Sequence, residues 1–235
     1  QAIKLTKAGV HILIEKPLSV SLNGIQELIE IINKNKVIAL VGYVLRYDPA
    51  ANAFKNYIDS NTLGNILSVN INCSSFLPDW RPDKDYKQSV SASKDLGGGV
   101  LLELSHELDY MSWFFGGIKS TYALLYNSKL LGIDVEESAD LIIKSYSGYP
   151  ISIHLDFNSQ FSSRKCIANG SKGTLIWDAL EKTVLCRQVG HKQKIDRFEF
   201  ERDDLFIKQI NHFLDCVKNN STPLVSINDA IKTLE

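Results

Sequence analysis

The chain has 235 residues, of which 44% are hydrophobic and 23% charged, with a formal net charge of -1. That composition belongs to a globular protein with a packed core, and its interspersed charges leave no basic footprint for nucleic acid or an anionic membrane. No apolar run approaches the roughly 20 residues needed to span a bilayer. The segment before Gly9 lacks a signal-peptide core, and the expected address is the cytoplasm.

Taken in chain order, Ala2 to Ala8 predicts a short helix that Gly9 stops, and Val10 to Ile14 a strand. An amphipathic helix follows over Leu22 to Lys34, then a second strand over Val37 to Val41. Short apolar strands alternating with helices indicate parallel βαβ units. Two strands are fewer than the five or six of a doubly wound sheet, so part of that sheet is expected to lie upstream of Gln1. Asp48 to about Asn61 reads as a helix and Ile66 to Phe76 as an alternating strand. The polar connection Leu77 to Leu96 contains Trp80 and Tyr86. A loop of that length in a compact domain is usually functional or disordered, and its aromatic residues and prolines favour an ordered binding loop.

Gly97-Gly98-Gly99 then opens a helix predicted over Val100 to Phe115. Strands are expected at Ser120–Tyr126, Ala139–Ser145, Ile151–Phe157, Lys165–Ala168, Thr174–Trp177 and Thr183–Arg187. The turns between them, such as Asn169-Gly170, suggest an antiparallel sheet and hence an α+β domain. Helices at Asp203 to Lys218 and from Asn228 close the chain, the last without a cap at Glu235, as though it too continued. The four cysteines, Cys73, Cys166, Cys186 and Cys216, form no CxxC pair and read as buried free thiols. The histidines show no HxxxH or HExxH spacing, so no metal site is expected.

Two segments carry candidate chemistry. Glu15-Lys16-Pro17 sits where the first strand ends, on the side where open α/β sheets bind ligands, and Pro17 holds Lys16 out of the next helix. Read alone, the same residues also suit an ordinary surface lysine at a strand end. In the second segment Glu103, His106 and Asp109 follow one another at i+3 spacing, which on one helix flanks the histidine with carboxylates and suits acid–base work near neutral pH. A core histidine bonded to a backbone carbonyl is the alternative. The glycine triplet entering a helix N-terminus also admits phosphate binding. In the long loop, Arg81 and Tyr86 are candidates for an acidic or hydroxylated substrate, since guanidinium suits carboxylate and aromatic faces suit sugar rings.

Together, Ala8-Gly9-Val10-His11-Ile12-Leu13-Ile14-Glu15-Lys16-Pro17-Leu18, Val41-Gly42-Tyr43 with Arg46 and Pro49, and the glycine triplet leading to His106 and Asp109 resemble the glucose–fructose oxidoreductase, inositol dehydrogenase and MocA (Gfo/Idh/MocA) family. The resemblance covers nearly the whole chain. It implies an α/β protein: residues 1–46 as the C-terminal half of a Rossmann dinucleotide-binding domain whose glycine-rich half is absent from these residues, and residues 47–235 as an α+β domain with a mostly antiparallel open sheet that binds substrate and forms a homo-oligomer.

It further implies an NAD- or NADP-dependent oxidoreductase acting on a sugar, sugar acid or nucleotide sugar, in the branch associated with surface-polysaccharide and unusual-sugar metabolism. Lys16 and His106 become the catalytic pair. Glu15, Lys16, Pro17 and Arg46 become cofactor contacts, and Arg81, Tyr86, Glu103 and Asp109 substrate contacts. The chain departs from the family at Leu102, where many members have an aspartate four residues before the histidine, and in lacking GxGxxG and the acidic residue that binds the ribose. Such a chain alone is expected to be inactive. The competing readings are a non-catalytic oligomerisation or ligand-sensing module of the same fold, and an NAD-assisted glycosidase.

Overall fold

The computed structural model describes residues 1–235. In chain order the elements are α1 (Ala2–Lys7), β1 (Ile12–Ile14), α2 (Ile25–Asn35), β2 (Ala39–Val41), a 3-10 turn (Val44–Tyr47), α3 (Pro49–Asp59) and β3 (Ile66–Phe76). After a loop of short 3-10 turns come α4 (Val100–Glu103), α5 (His106–Phe115), β4 (Ile118–Tyr126), β5 (Ser138–Ser145) and β6 (Pro150–Asp156). The chain finishes with β7 (Asn158–Gly170), β8 (Gly173–Asp178), β9 (Thr183–Gln188), β10 (Lys194–Arg197), α6 (Arg202–Asn219) and α7 (Ile227–Leu234). These form two compact units, residues 1–48 with 200–235, and residues 49–199.

In the first unit β1 and β2 pair in parallel, Ile12 opposite Ala39 and Ile14 opposite Val41. On one face of this pair Ile12, Ala39 and Val41 pack in a single apolar cluster with Ile25 and Leu28 of α2 and Ile227 and Ala230 of α7. The Val41 amide donates to the Val225 carbonyl at 3.1 Å, which fixes the approach to α7. Residues 200–235, grouped with the second domain from the sequence, therefore pack with the first. Nothing local marks that return, because it is set by Val225, Ile227 and Ala230 meeting strands almost two hundred residues earlier. A reciprocal cap starts α7, Ser226 Oγ accepting from the Asp229 amide while Asp229 accepts from the Ser226 amide.

The second unit is an eight-stranded sheet in the order β10-β9-β8-β7-β3-β6-β5-β4. Every pair is antiparallel except β3 with β6. Alternate residues such as Val69, Ile71 and Cys73 of β3 and Ile151, Ile153 and Leu155 of β6 are buried on one face. Phe54 of α3 and Tyr110 and Phe114 of α5 cover that face around Trp177 of β8, with ring centroids 6.5, 5.0 and 5.8 Å from the indole. Three sequence expectations change here. The predicted helix 100–115 is broken at Leu104-Ser105. β7 runs far beyond Lys165–Ala168, because its first half is polar and half-exposed and gives no apolar alternation. β10, Lys-Ile-Asp-Arg, was missed because an edge strand with one apolar residue carries little signal.

The other face of the sheet is open. His154 lies on it with Nδ1 2.8 Å from Asp140 Oδ1 and Nε2 3.1 Å from Asp156 Oδ2. Partial burial lowers its pKa, but hydrogen bonding to Asp140 and Asp156 and their charges outweigh this and raise it above the ordinary value. A histidine whose folded pKa is raised adds stability that is complete below its unfolded value of about 6.5 and is lost as pH climbs through the folded value. Urea unfolding should therefore show stability falling more above about pH 6.5 in the native chain than in His154→Gln. Parallel pH profiles would exclude this charge network from the balance. Truncating the fully buried indole with Trp177→Ala should cost about 3–5 kcal/mol in the same assay. A loss under about 1 kcal/mol would mean that the aromatic cluster is not the core of this unit.

Candidate functional site

The carboxyl end of β1 carries Glu15-Lys16-Pro17, with a cis peptide between Lys16 and Pro17. Glu15 is exposed and Lys16 half-buried. Gly42, just after β2, donates its amide to the Ile14 carbonyl at 2.7 Å. A Cβ at Gly42 would lie 3.3 Å from both that carbonyl and the Glu15 carboxylate, so this close approach of the two strand ends leaves little room for a side chain. Arg46 follows in the 3-10 turn and is buried. All four candidate cofactor contacts thus belong to the first unit, three of them at the β1 end where an α/β sheet presents its ligand crevice.

The remaining candidates belong to the second unit. Gly97 and Gly99 have φ of 79° and 107°, which glycine adopts freely. Gly98 donates to the Ser93 carbonyl at 2.8 Å and Gly99 to that of Ser91 at 3.0 Å. A Cβ on Gly98 would come within 2.2 Å of the Val90 carbonyl oxygen, so no larger residue fits without moving backbone. The triplet is therefore a close-packing device. The start of α4 is already occupied by a carboxylate, because Glu136 Oε1 accepts from the Leu101 amide at 3.2 Å and would sit 2.3 Å from a Gly99 Cβ. That placement overturns the phosphate reading of the triplet: the helix is one turn long and its anion is supplied by the chain itself.

The break at Leu104-Ser105 also separates Glu103, at the end of α4, from His106, which begins α5. His106 is thus not flanked by two carboxylates along one helix. Asp109 stays on its helix, 1% exposed. Sequence reasoning did not single out Glu107, which is 0% exposed and ion-paired to Arg164 of β7, Nε to Oε1 at 2.8 Å. Its partner stands in a strand distant in the chain, and only the spacing of apolar neighbours hinted that position 107 points inward. Beside this pair, burial first and then the Glu107 charge push the Cys73 thiol up to about 12, so it stays protonated. Burial likewise raises the Tyr110 hydroxyl well above its ordinary value.

In the long loop Arg81 is exposed and Tyr86 half-buried. The Tyr86 hydroxyl donates to the Leu131 carbonyl at 2.9 Å. Trp80 donates Nε1–H to Ser75 Oγ at 2.9 Å and meets Phe157 edge-on at 5.3 Å. These contacts tie the loop to Ser75, Leu131 and Phe157.

Residues 52–176, a little over half of the chain, match the GFO/IDH/MocA C-terminal domain, and residues 1–43 match the oxidoreductase family's NAD-binding Rossmann fold. The chain belongs to the Gfo/Idh/MocA oxidoreductase family. Among its family relatives is the NAD(+)-dependent scyllo-inositol 2-dehydrogenase of Bacillus subtilis (strain 168), 25% identical over 244 residues covering 99% of this chain and 68% of the relative. The inositol 2-dehydrogenase of Salmonella paratyphi B is 25% identical over 217 residues, 87% of this chain and 61% of its own length. Solved structures share the fold: levoglucosan dehydrogenase in complex with NADH superposes with a TM-score of 0.88 at 17% identity, over 99% of this chain and 71% of that one. An inositol dehydrogenase homologue from Azotobacter vinelandii complexed with NADH and myo-inositol gives 0.83 at 16%, over 99% and 69%. No helix is long and apolar enough to cross a membrane.

Arg164→Met would leave the Glu107 charge buried without its partner, and urea unfolding should report a loss of about 3–5 kcal/mol. Much of that should return in the double variant Glu107→Leu/Arg164→Met, which removes both charges. A single-variant loss near that of an exposed pair, under about 1 kcal/mol, would show that the pair does not anchor α5.

Proposed function

We propose that this family member transfers hydride between a nicotinamide dinucleotide, NAD or NADP, and a hydroxyl-bearing carbon of a sugar, sugar acid or nucleotide sugar. The observation that carries the reading is the pairing of contexts: Lys16 follows a parallel strand in the Rossmann-matching segment, and His106 opens a helix behind a glycine triplet in the segment that matches the second domain. The narrow approach at Gly42, with Glu15, Lys16, Pro17 and the buried Arg46 around the strand ends, suits the nicotinamide half of such a cofactor. When bound, the dinucleotide supplies the redox chemistry by taking or giving the hydride.

The chain's own residues supply position and proton transfer. The Lys16 ammonium stabilises negative charge developing on the substrate oxygen. His106 removes the hydroxyl proton during oxidation and returns it during reduction. Asp109, on the same helical turn and nearly fully buried, sets the field around His106. Glu103 and Arg81 offer polar contacts to a hydroxylated substrate, and Tyr86 offers its ring, since its hydroxyl is engaged.

The open face of the sheet supports a homo-oligomer. Tyr122 stands opposite Ile142, Ile167 opposite Ile176, and Leu185 opposite Ile195 along one row of that face. Tyr122 is 70% exposed and Phe161 91%, and apolar residues gathered on an open face favour association. A cytoplasmic setting agrees with four buried free cysteines.

In steady-state assays with a polyol panel, Lys16→Ala and His106→Ala should each lower kcat by about 10²- to 10⁴-fold while circular dichroism stays unchanged. Unaltered turnover in both variants would remove these residues from the chemistry.

A further inference from the structure

Between the end of β3 and the glycine triplet, the 77–91 loop walls a cavity of about 480 Å³, lined among others by Trp80, Arg81, Lys84, Tyr86 and Ser91. Its chemistry is one-sided. Arg81 and Lys84 both line it and both are exposed, and neither has an ion-pair partner. The one acid on its wall, Asp85, has both oxygens engaged within the loop, accepting from the Lys87 amide at 3.0 Å and from Gln88 Nε2 at 3.3 Å. A guanidinium and an ammonium are left facing a space that also holds an indole. Trp80 is fixed in place, its N–H bonded to Ser75 and its ring edge-on to Phe157.

The cavity is coupled to the His106 region through backbone. Ser91 lines it, and its carbonyl accepts from Gly99 at 3.0 Å, the residue immediately before α4. Gly98 packs against the Val90 and Ser91 carbonyls so closely that a Cβ would collide with both. A ligand group bound in the loop is therefore held against the segment that leads into α5.

The geometry points to this cavity as a subsite for a pyranose bearing an anionic oxygen group, a carboxylate or a phosphate, with the sugar ring against Trp80 and the anion between Arg81 and Lys84. A volume of this size accommodates a monosaccharide with one charged substituent. Guanidinium pairs with carboxylate and phosphate alike through two parallel N–H donors, and aromatic faces take the apolar side of a sugar ring. The inference deepens the proposed oxidoreductase reading by selecting an acidic sugar over a neutral one, but its test needs no turnover and no cofactor.

The test is a titration of the whole chain, followed by tryptophan fluorescence, with D-glucuronate, D-glucose 6-phosphate, D-glucose and inorganic phosphate. Both sugar anions should change the emission saturably, glucose should not, and inorganic phosphate should bind about tenfold or more weakly than glucose 6-phosphate. Trp80→Phe should abolish the signal, and Arg81→Gln/Lys84→Gln should weaken binding about tenfold or more without changing circular dichroism. Tighter binding of glucuronate would mark a carboxylate site, and tighter binding of glucose 6-phosphate a phosphate site. Equal binding of glucose, phosphate binding as tight as sugar phosphate, no saturable change, or insensitivity to the double substitution would each overturn the inference. Because no hydride is transferred in this assay, its failure leaves the proposed roles of Lys16 and His106 standing, and loss of turnover in those variants leaves the anion subsite standing.

Discussion

The ion pair between Glu107 and Arg164 is the constraint on which the second unit depends. Arg164 stands on β7 directly opposite Cys73 of β3, so its guanidinium rises from the middle of the sheet. Glu107 reaches it from the first turn of α5 and is wholly buried. Glu107 cannot lose Arg164 without leaving an uncompensated charge in a low-dielectric interior, so the start of α5 is held at one place over the central strands. Tyr110 and Phe114, one and two turns further along, complete the attachment by packing against Trp177. His106, adjacent to Glu107, inherits its position from this anchorage.

With α5 fixed, the chain that enters it has little freedom. It must turn sharply twice, at Gly97 and Gly99, and pass close to the backbone of Val90 and Ser91. The one-turn α4 and the break at Leu104-Ser105 accommodate that path, and Glu136 satisfies the amide that α4 leaves open. The same close passage ties the 77–91 loop to the helix that carries the candidate histidine. The loop, the triplet and α5 therefore behave as one assembly, although the sequence presents them as three separate features.

What was legible in the sequence follows from what is local. Ile66–Phe76 was read with its observed limits because apolar and polar residues alternate there and Gly64 precedes it. β1 and β2 were readable as parallel partners because both are continuously apolar with an amphipathic helix between them. The Lys16 and His106 contexts were recognisable because each is a contiguous motif. What was hidden is non-local: the return of α6 and α7 to the first unit, the partner of Glu107, and the use of Glu136 at a helix start. Of the i+3 series Glu103, His106 and Asp109, only His106 and Asp109 share a helix. Spacing implies a shared face only on an unbroken helix, and this one is interrupted at Leu104-Ser105.

The central claim is that Lys16 and His106 serve hydride transfer from a ring carbinol carbon to nicotinamide. The most direct measurement is isotope transfer, using the protein purified from its source with NAD or NADP and a panel of inositols, anhydrosugars and sugar acids deuterated at their carbinol carbons. Mass spectrometry of the recovered dinucleotide should show deuterium gained from at least one panel member, with the transfer lost in His106→Ala. A dinucleotide that remains unlabelled across the panel would contradict the account.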